Sequence, residues 1–221
     1  MTPAVRALDG AAGESFLHGR SPLIAIVRFA AGGALADVVR ALAAGGIELT
    51  EITIDTPGAL TAVEAAAAEG HTVGVGTVVT AEQVRASARA GASFVVSPGL
   101  VAEVVQEARA YGIEPIPGVF TGTEVLAAMS AGARLLKLFP AAAVGTRYLQ
   151  ALRAPFPHAA FVPTGGIALS EIRGYLDAGA VAVALGSQLV GRECPSTAEG
   201  LVELTHRAAL ATRHACFDVS A

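Results

Sequence analysis

"ALAAGGIELTEITID", residues 41–55, contains one repeating unit of this chain in miniature. An alanine-rich run stops at Gly45-Gly46, and a segment with alternating β-branched residues begins directly after it. Helices commonly end on a left-handed residue, usually glycine, because glycine takes that conformation without a steric cost. Similar stops recur at Gly70, Gly91, Gly112, Gly132 and Gly179, each followed within a few residues by a short apolar run of β type. From Gly46 to Gly132 the stops lie 24, 21, 21 and 20 residues apart, and the 47 residues from Gly132 to Gly179 hold two units divided at the Pro155–Pro157 loop. A period of this length fits one strand plus one helix.

Short apolar runs with β-branched content predict strands at about 22–28, 47–54, 72–76, 93–97, 113–117, 134–138, 160–164 and 181–185. Helical patterns fall between and after them, near 33–44, 57–69, 80–90, 101–111, 122–131, 145–152, 169–178 and 197–213. Thr80 with Gln83 three residues on has the form of a capping box. Eight βα units predict the α/β class and a single-domain (β/α)8 TIM barrel spanning residues 1–221, with its core at about 20–191 and a C-terminal helix at about 197–213. A doubly wound sheet shares the alternation, and strand order is not written in it.

Composition agrees with this reading. Of 221 residues 53% are hydrophobic, only 5% are aromatic and none is Trp, so the core is built from Ala, Val, Leu and Ile. A formal charge of -4 with no basic block gives nucleic-acid phosphates no surface to meet, so no nucleic-acid partner is expected. Cys194 and Cys216 have neither CxxC spacing nor a partner set for zinc, and the five histidines form no HExxH or HxxxH pair, so no metal is expected. The opening residues lack the apolar centre of a signal peptide, and no run approaches the length of a membrane span. A cytoplasmic protein with no membrane partner is therefore the expectation, and residues 1–19 have no assigned role beyond a possible lid helix.

In a barrel of this kind chemistry sits at the C-terminal ends of the strands. The polar residues of this sequence cluster there: Arg28; Glu51, Thr53 and Asp55 on one face by the period of two; Thr77; Ser97-Pro98; Pro117; Lys137 before Phe139; Thr164-Gly165-Gly166; and Gly186-Ser187. Lys137 is the single lysine among fifteen basic residues. A lysine that snorkels to the surface is the plainer explanation. Against it stands the chain's use of arginine everywhere else, because an amine in apolar surroundings beside another cation can act as a nucleophile toward a carbonyl and a guanidinium cannot. Glycines after strands 7 and 8, with a helix opening near Ser170, provide backbone N–H groups for an anion such as phosphate. "VGVGT" (73–77) lacks the third glycine and distant acid of a dinucleotide fingerprint, and reads as close packing that presents Thr77.

"EITIDTPGA" (51–59), "VGVGTV" (73–78), "FVVSPGL" (94–100), "PIPGVFTGTE" (115–124), "LLKLFPA" (135–141), "FVPTGGI" (161–167) and "LGSQLV" (185–190) resemble, in order and spacing, the 2-keto-3-deoxy-6-phosphogluconate (KDPG) and 4-hydroxy-2-oxoglutarate (KHG) aldolase family. The resemblance covers about residues 20–191 and implies a class I, Schiff-base aldolase on a (β/α)8 barrel, needing no metal or organic cofactor. It places the Schiff-base lysine on Lys137, the general acid/base on Glu51, the carboxylate-binding threonine on Thr77, and phosphate contacts on Gly165, Gly166 and Ser187. Pro98 and Phe139 complete the expected substrate site, with Phe139 and Pro117 keeping it dry. Many members carry an arginine where this chain has Asp55; a second subgroup has its arginine at the end of strand 1, where Arg28 stands. An acid at 55 would repel an anionic substrate unless it pairs with Arg28 or turns away. The resemblance also implies a homotrimer acting on a small 2-oxo acid. The expected reaction is cleavage of 2-keto-3-deoxy-6-phosphogluconate to pyruvate and glyceraldehyde 3-phosphate; the same chemistry on 4-hydroxy-2-oxoglutarate or 2-keto-3-deoxy-6-phosphogalactonate, a phosphate-binding isomerase or epimerase using Glu51 without the amine, and a non-catalytic sugar-phosphate binder are the alternatives.

Overall fold

A computed structural model of the chain describes residues 16–216. Nine ladder segments follow one another around a barrel: β1 Leu23–Val27, β2 Leu49–Thr53, β3 Thr72–Gly76, β4 Phe94–Val96, β5 Glu114–Ile116, β6 Gly118–Val119, β7 Leu135–Leu138, β8 Ala160–Pro163 and β9 Val183–Leu185. Every pairing is parallel, in the orders β5-β4-β3-β2-β1-β9 and β6-β7-β8. A parallel bridge between Thr164 and Ala184 joins β8 to β9. At the other junction β5 and β6 are one strand interrupted at Pro117, which has no N–H to give the ladder. The expected fifth strand, 113–117, is thus shorter and continues beyond the proline. Neighbours in space are neighbours in sequence all the way round, which excludes the doubly wound order.

The glycine stops behave as expected: Gly46, Gly70, Gly91, Gly112, Gly132 and Gly179 have φ of 88°, 86°, 81°, 70°, 99° and 93°. The helices they end are α1 Leu35–Ala44, α2 Ala59–Ala68, α3 Ala81–Arg89, α4 Ala102–Ala110, α5 Gly122–Ala131 and, in chain order, α7 Ile172–Asp177, while the intervening α6 Gly145–Arg153 ends at Ala154 without a glycine. The box at α3 forms, with Thr80 Oγ1 accepting from Gln83 N at 3.2 Å and Gln83 Oε1 accepting from Thr80 N at 3.2 Å. Such a cap is worth about 1 kcal/mol. Thr121 and Glu124 repeat it at α5, and the backbone N–H groups of Thr121 and Phe120 hold the Glu124 carboxyl below its usual range.

Two differences from expectation bear on the site. The helix predicted over 169–178 begins as a 3-10 turn, Leu169–Glu171, whose entry is already occupied because Glu171 Oε2 accepts from Ala168 N at 2.8 Å. A four-residue helix, α8 Ser187–Val190, follows β9 directly and was not expected. The last helix, α9 Ala198–Ala215, packs across α1, with Thr205 Oγ1 donating to Ala41 O at 3.2 Å and Thr212 Oγ1 to Gly45 O at 3.0 Å.

Period-two strands divide the core into two layers. Ile24, Leu49, Phe94, Val96, Ile116, Leu135 and Val162 fill the barrel, while Val27, Ile52, Val75, Leu136, Leu138 and Phe161 face the helices. Burying each such side chain contributes about 1.5–3 kcal/mol. Phe16 and Leu17 join the inner layer beside Phe94, with the Phe16 and Phe94 rings 5.7 Å apart edge to face. Phe94 opens its strand, so the described part of the segment expected as a lid plugs the end opposite the strand C-termini. The rest of that segment lies outside the described residues. No described helix is long and apolar enough to cross a membrane.

Candidate active site

On β7 the alternation puts Leu135 and Lys137 inside the barrel and Leu136 and Leu138 outside, both fully buried against helices. On β2 Leu49 and Ile52 divide in the same way, which carries Glu51 inward. Glu51 is 1% exposed and Lys137 9% exposed. Lys137 Nζ lies 5.1 Å from the centroid of the Phe139 ring, within range of a cation–π attraction. Among the described residues no hydrogen bond or ion pair joins Lys137 to Glu51; both line a cavity of ≈ 410 Å³. Burial raises the Glu51 carboxyl above its ordinary 4.5, the charges of Lys137 and Arg28 pull it back, and Asp55 adds to the rise. An acid shifted upward in this way keeps its proton to a higher pH than a free carboxylate and so is better suited to give one as well as take one.

Gly76 makes room for that acid. A Cβ there would collide with the Glu51 carboxyl, Oε1 foremost. The sequence "VGVGT" is therefore close packing, as read, and what it accommodates is the carboxyl.

At the rim Arg28 Nη1 meets Asp55 Oδ2 at 2.9 Å and Arg28 Nη2 donates to Thr77 Oγ1 at 2.6 Å. Asp55 thus pairs with Arg28 rather than turning away from the site. The Arg28 and Asp55 side chains are 55% and 50% exposed, so the pair contributes at most about 1 kcal/mol to stability. Thr77 has φ 61°, a left-handed value rare outside glycine, and it holds its hydroxyl between Arg28 and the cavity.

The loop after β8 forms the opposite wall. Gly165 and Gly166 have φ of 96° and 76°, and a Cβ on Gly165 would stand 2.9 Å from the Phe139 ring. Their carbonyl side is tied down, with Ala142 N donating to Gly165 O at 3.1 Å and Ala141 N to Thr164 O at 2.8 Å. The N–H groups of Gly166 and Gly186 donate to no protein acceptor among the described residues, while the bridge from Thr164 to Ala184 engages Gly165. That arrangement suits an anion.

Arg28, Glu51, Thr77, Pro98, Lys137, Phe139, Gly165, Gly166 and Ser187 all line the one cavity; Asp55 does not, standing behind Arg28. Ile26, Thr164, Ile167, Gly186 and Gln188 line it too. Of these Ile26 could have been found from the period of two before Arg28, whereas Gln188 comes in on the short helix α8, which left no periodic signal. The anion-facing helix expected near Ser170 is self-capped, and α8 opens at the cavity instead. Among the described residues no cluster of three or more His, Cys, Asp or Glu could hold a metal ion.

A closed parallel barrel with its polar residues gathered at the strand C-termini is the architecture of barrel enzymes. A family profile for KDPG and KHG aldolases matches residues 16–199. The chain is 35% identical over 184 residues to the 2-dehydro-3-deoxy-6-phosphogalactonate aldolase of Escherichia coli K12, covering 80% of this chain and 90% of that one. It resembles the solved KDPG aldolase of Zymomonas mobilis ZM4 with 3-phosphoglycerate, at 29% identity and TM-score 0.78 over 95% of this chain and 96% of that one. It also resembles the KDPG aldolase of Legionella pneumophila holding pyruvate as a covalent carbinolamine, at 33% identity and TM-score 0.71 over 88% and 92% of the two chains. The chain belongs to the KDPG and KHG aldolase family, whose members are aldehyde-lyases.

Proposed function

We propose that this chain cleaves 2-keto-3-deoxy-6-phosphogluconate to pyruvate and glyceraldehyde 3-phosphate through a Schiff base on Lys137. The observation that carries the reading is the convergence of the chain's single lysine and a buried glutamate on one cavity, with the N–H groups of Gly166 and Gly186 unpaired among the described residues of its wall. The Legionella relative, with pyruvate held as a carbinolamine, supports the covalent step.

Neutral Lys137 attacks the C2 carbonyl carbon, and the carbonyl oxygen takes a proton to give the carbinolamine. Glu51 then delivers the proton with which the hydroxyl leaves as water, giving the protonated Schiff base. The Glu51 carboxylate takes the C4 hydroxyl proton, the C3–C4 bond breaks, its electron pair passes to the iminium nitrogen, and the aldehyde departs. Protonation of the resulting enamine at C3 and addition of water release pyruvate and restore the amine. Arg28 and Thr77 hold the substrate carboxylate, and Gly165, Gly166 and Ser187 receive the phosphate. Trapping with pyruvate and borohydride, followed by weighing the protein, tests the reading; absence of an adduct on Lys137 overturns it.

A second substrate is favoured by one observation: the galactonate aldolase relative matches over 80% of this chain. The gluconate and galactonate substrates differ in configuration at C4, the carbon whose hydroxyl Glu51 addresses. Comparing kcat/KM for the two and for 4-hydroxy-2-oxoglutarate decides between them. The homotrimer implied by the resemblance belongs to the same reading, as does the cytoplasmic location expected from the sequence. Light scattering on the purified protein tests the assembly.

Two variants probe the framework of the site. Gly76→Ala is expected to displace the Glu51 carboxyl, lowering kcat about tenfold to a hundredfold and stability by about 1–3 kcal/mol. Urea unfolding beside steady-state kinetics checks both effects. Asp55→Asn is expected to change stability by less than about 1 kcal/mol, since the ion pair it breaks is half exposed. It should also lower KM for the anionic substrate a few-fold, by leaving the Arg28 charge uncompensated.

A further inference from the structure

A second hollow, of ≈ 300 Å³, adjoins the main cavity; it shares Arg28, Gly186 and Ser187 with it and reaches past them to Val190 and Arg192. Gly191, with φ 85°, turns the chain after α8 and sets Arg192 on the wall of this hollow. No acidic side chain lines the hollow among the described residues. Arg28 has Asp55 as a counter-charge, whereas Arg192 is exposed and has no hydrogen bond or ion pair among the described residues. The hollow therefore holds net positive charge beside Ser187 in a chain whose overall charge is -4. A guanidinium fork fits two oxygens of a phosphate at once, and an arginine without an internal partner has no carboxylate to give up first.

We propose that Arg192 is a specificity residue that binds the terminal phosphate dianion of the substrate from this hollow, completing the cradle of Gly165, Gly166 and Ser187. The proposal rests on the aldolase reading and adds a contact from outside the main cavity. Its consequence is discrimination: Arg192 favours a phosphorylated acid over the same acid with a free terminal hydroxyl.

The test compares Arg192→Ala with wild type on 2-keto-3-deoxy-6-phosphogluconate and on unphosphorylated 2-keto-3-deoxygluconate. The ratio of their kcat/KM values is expected to fall about tenfold in the variant, through KM of the phosphorylated acid. Added salt should weaken wild-type KM for that acid more than the variant's, and Arg192→Lys should recover part of the ratio. An unchanged ratio overturns the proposal, as does an equal loss on both substrates. Should wild type form no adduct with pyruvate and borohydride, it is the aldolase reading that fails. The hollow is then judged by titration with inorganic phosphate: weaker binding to Arg192→Ala supports the proposal, and equal dissociation constants overturn it.

Discussion

Lys137→Arg is expected to lower kcat by about 10⁴-fold or more and to abolish the mass increase after treatment with pyruvate and borohydride. The size follows from removing a nucleophile outright, a change that costs enzymes several orders of magnitude. Arginine keeps the positive charge, so the electrostatic pull on Glu51 and on an anionic substrate survives while the amine chemistry does not. Substrate binding should therefore persist in the variant, which separates loss of chemistry from loss of affinity. Lys137 is 9% exposed, so circular dichroism and a thermal melt must accompany the kinetics to show that the larger side chain has left the barrel folded. Turnover near wild type in a folded variant would remove the amine from the mechanism and leave Glu51 to act alone, as in an isomerase.

Glu51→Gln is the second large effect, with kcat falling about 10²–10⁴-fold, the range typical of a lost general acid/base. Its pH behaviour separates it from a packing defect. The folded carboxyl lies above its ordinary 4.5, chiefly through burial. The acid limb of wild-type kcat/KM should therefore fall at a pH above the ordinary carboxylate value, and it should be absent in the variant. The stability consequence has a definite sign. A group whose folded pKa is raised contributes stability that is fully present below its unfolded pKa and is lost as pH rises through the folded one. As pH rises from the unfolded value through the folded one, wild type loses that contribution, whereas a glutamine does not titrate. Glu51→Gln should accordingly be the more stable protein at pH 7, with the advantage vanishing below about pH 4. Parallel urea titrations at both values check this, and a pH-independent difference would mean that the raised carboxyl has no part in stability. Both outcomes together would identify Glu51 as a functional residue retained at some cost to the fold.

Much of this was legible from local patterns. The stops at Gly46, Gly70, Gly91, Gly112, Gly132 and Gly179 announced the unit length, because a left-handed C-terminus is a property of one residue and its immediate neighbours. The inward direction of Lys137 and Glu51 followed from a period of two, with Leu136 and Leu138 as the outward reference. The Thr80–Gln83 box formed for the same reason, since it depends on four consecutive residues. Harder to see were the break at Pro117, the helix α8 that brings Gln188 to the cavity, and the self-capping of the turn at Ala168 by Glu171.

By itself the sequence determined the βα repeat, the face each strand residue takes and the kinds of chemical group available at the strand ends, all set by backbone geometry over a few residues. Only the tertiary structure decided what those groups meet. The pairing of Arg28 with Asp55 and Thr77, the collision that keeps Gly76 free of a side chain beside Glu51, and the unpartnered Arg192 beside Ser187 each join residues from different units. Such contacts depend on how parallel strands register and close around a ring, and on which charges finish within hydrogen-bond reach. No local pattern encodes a distance between residues 28 and 77 or between 28 and 192. Barrel closure sets both.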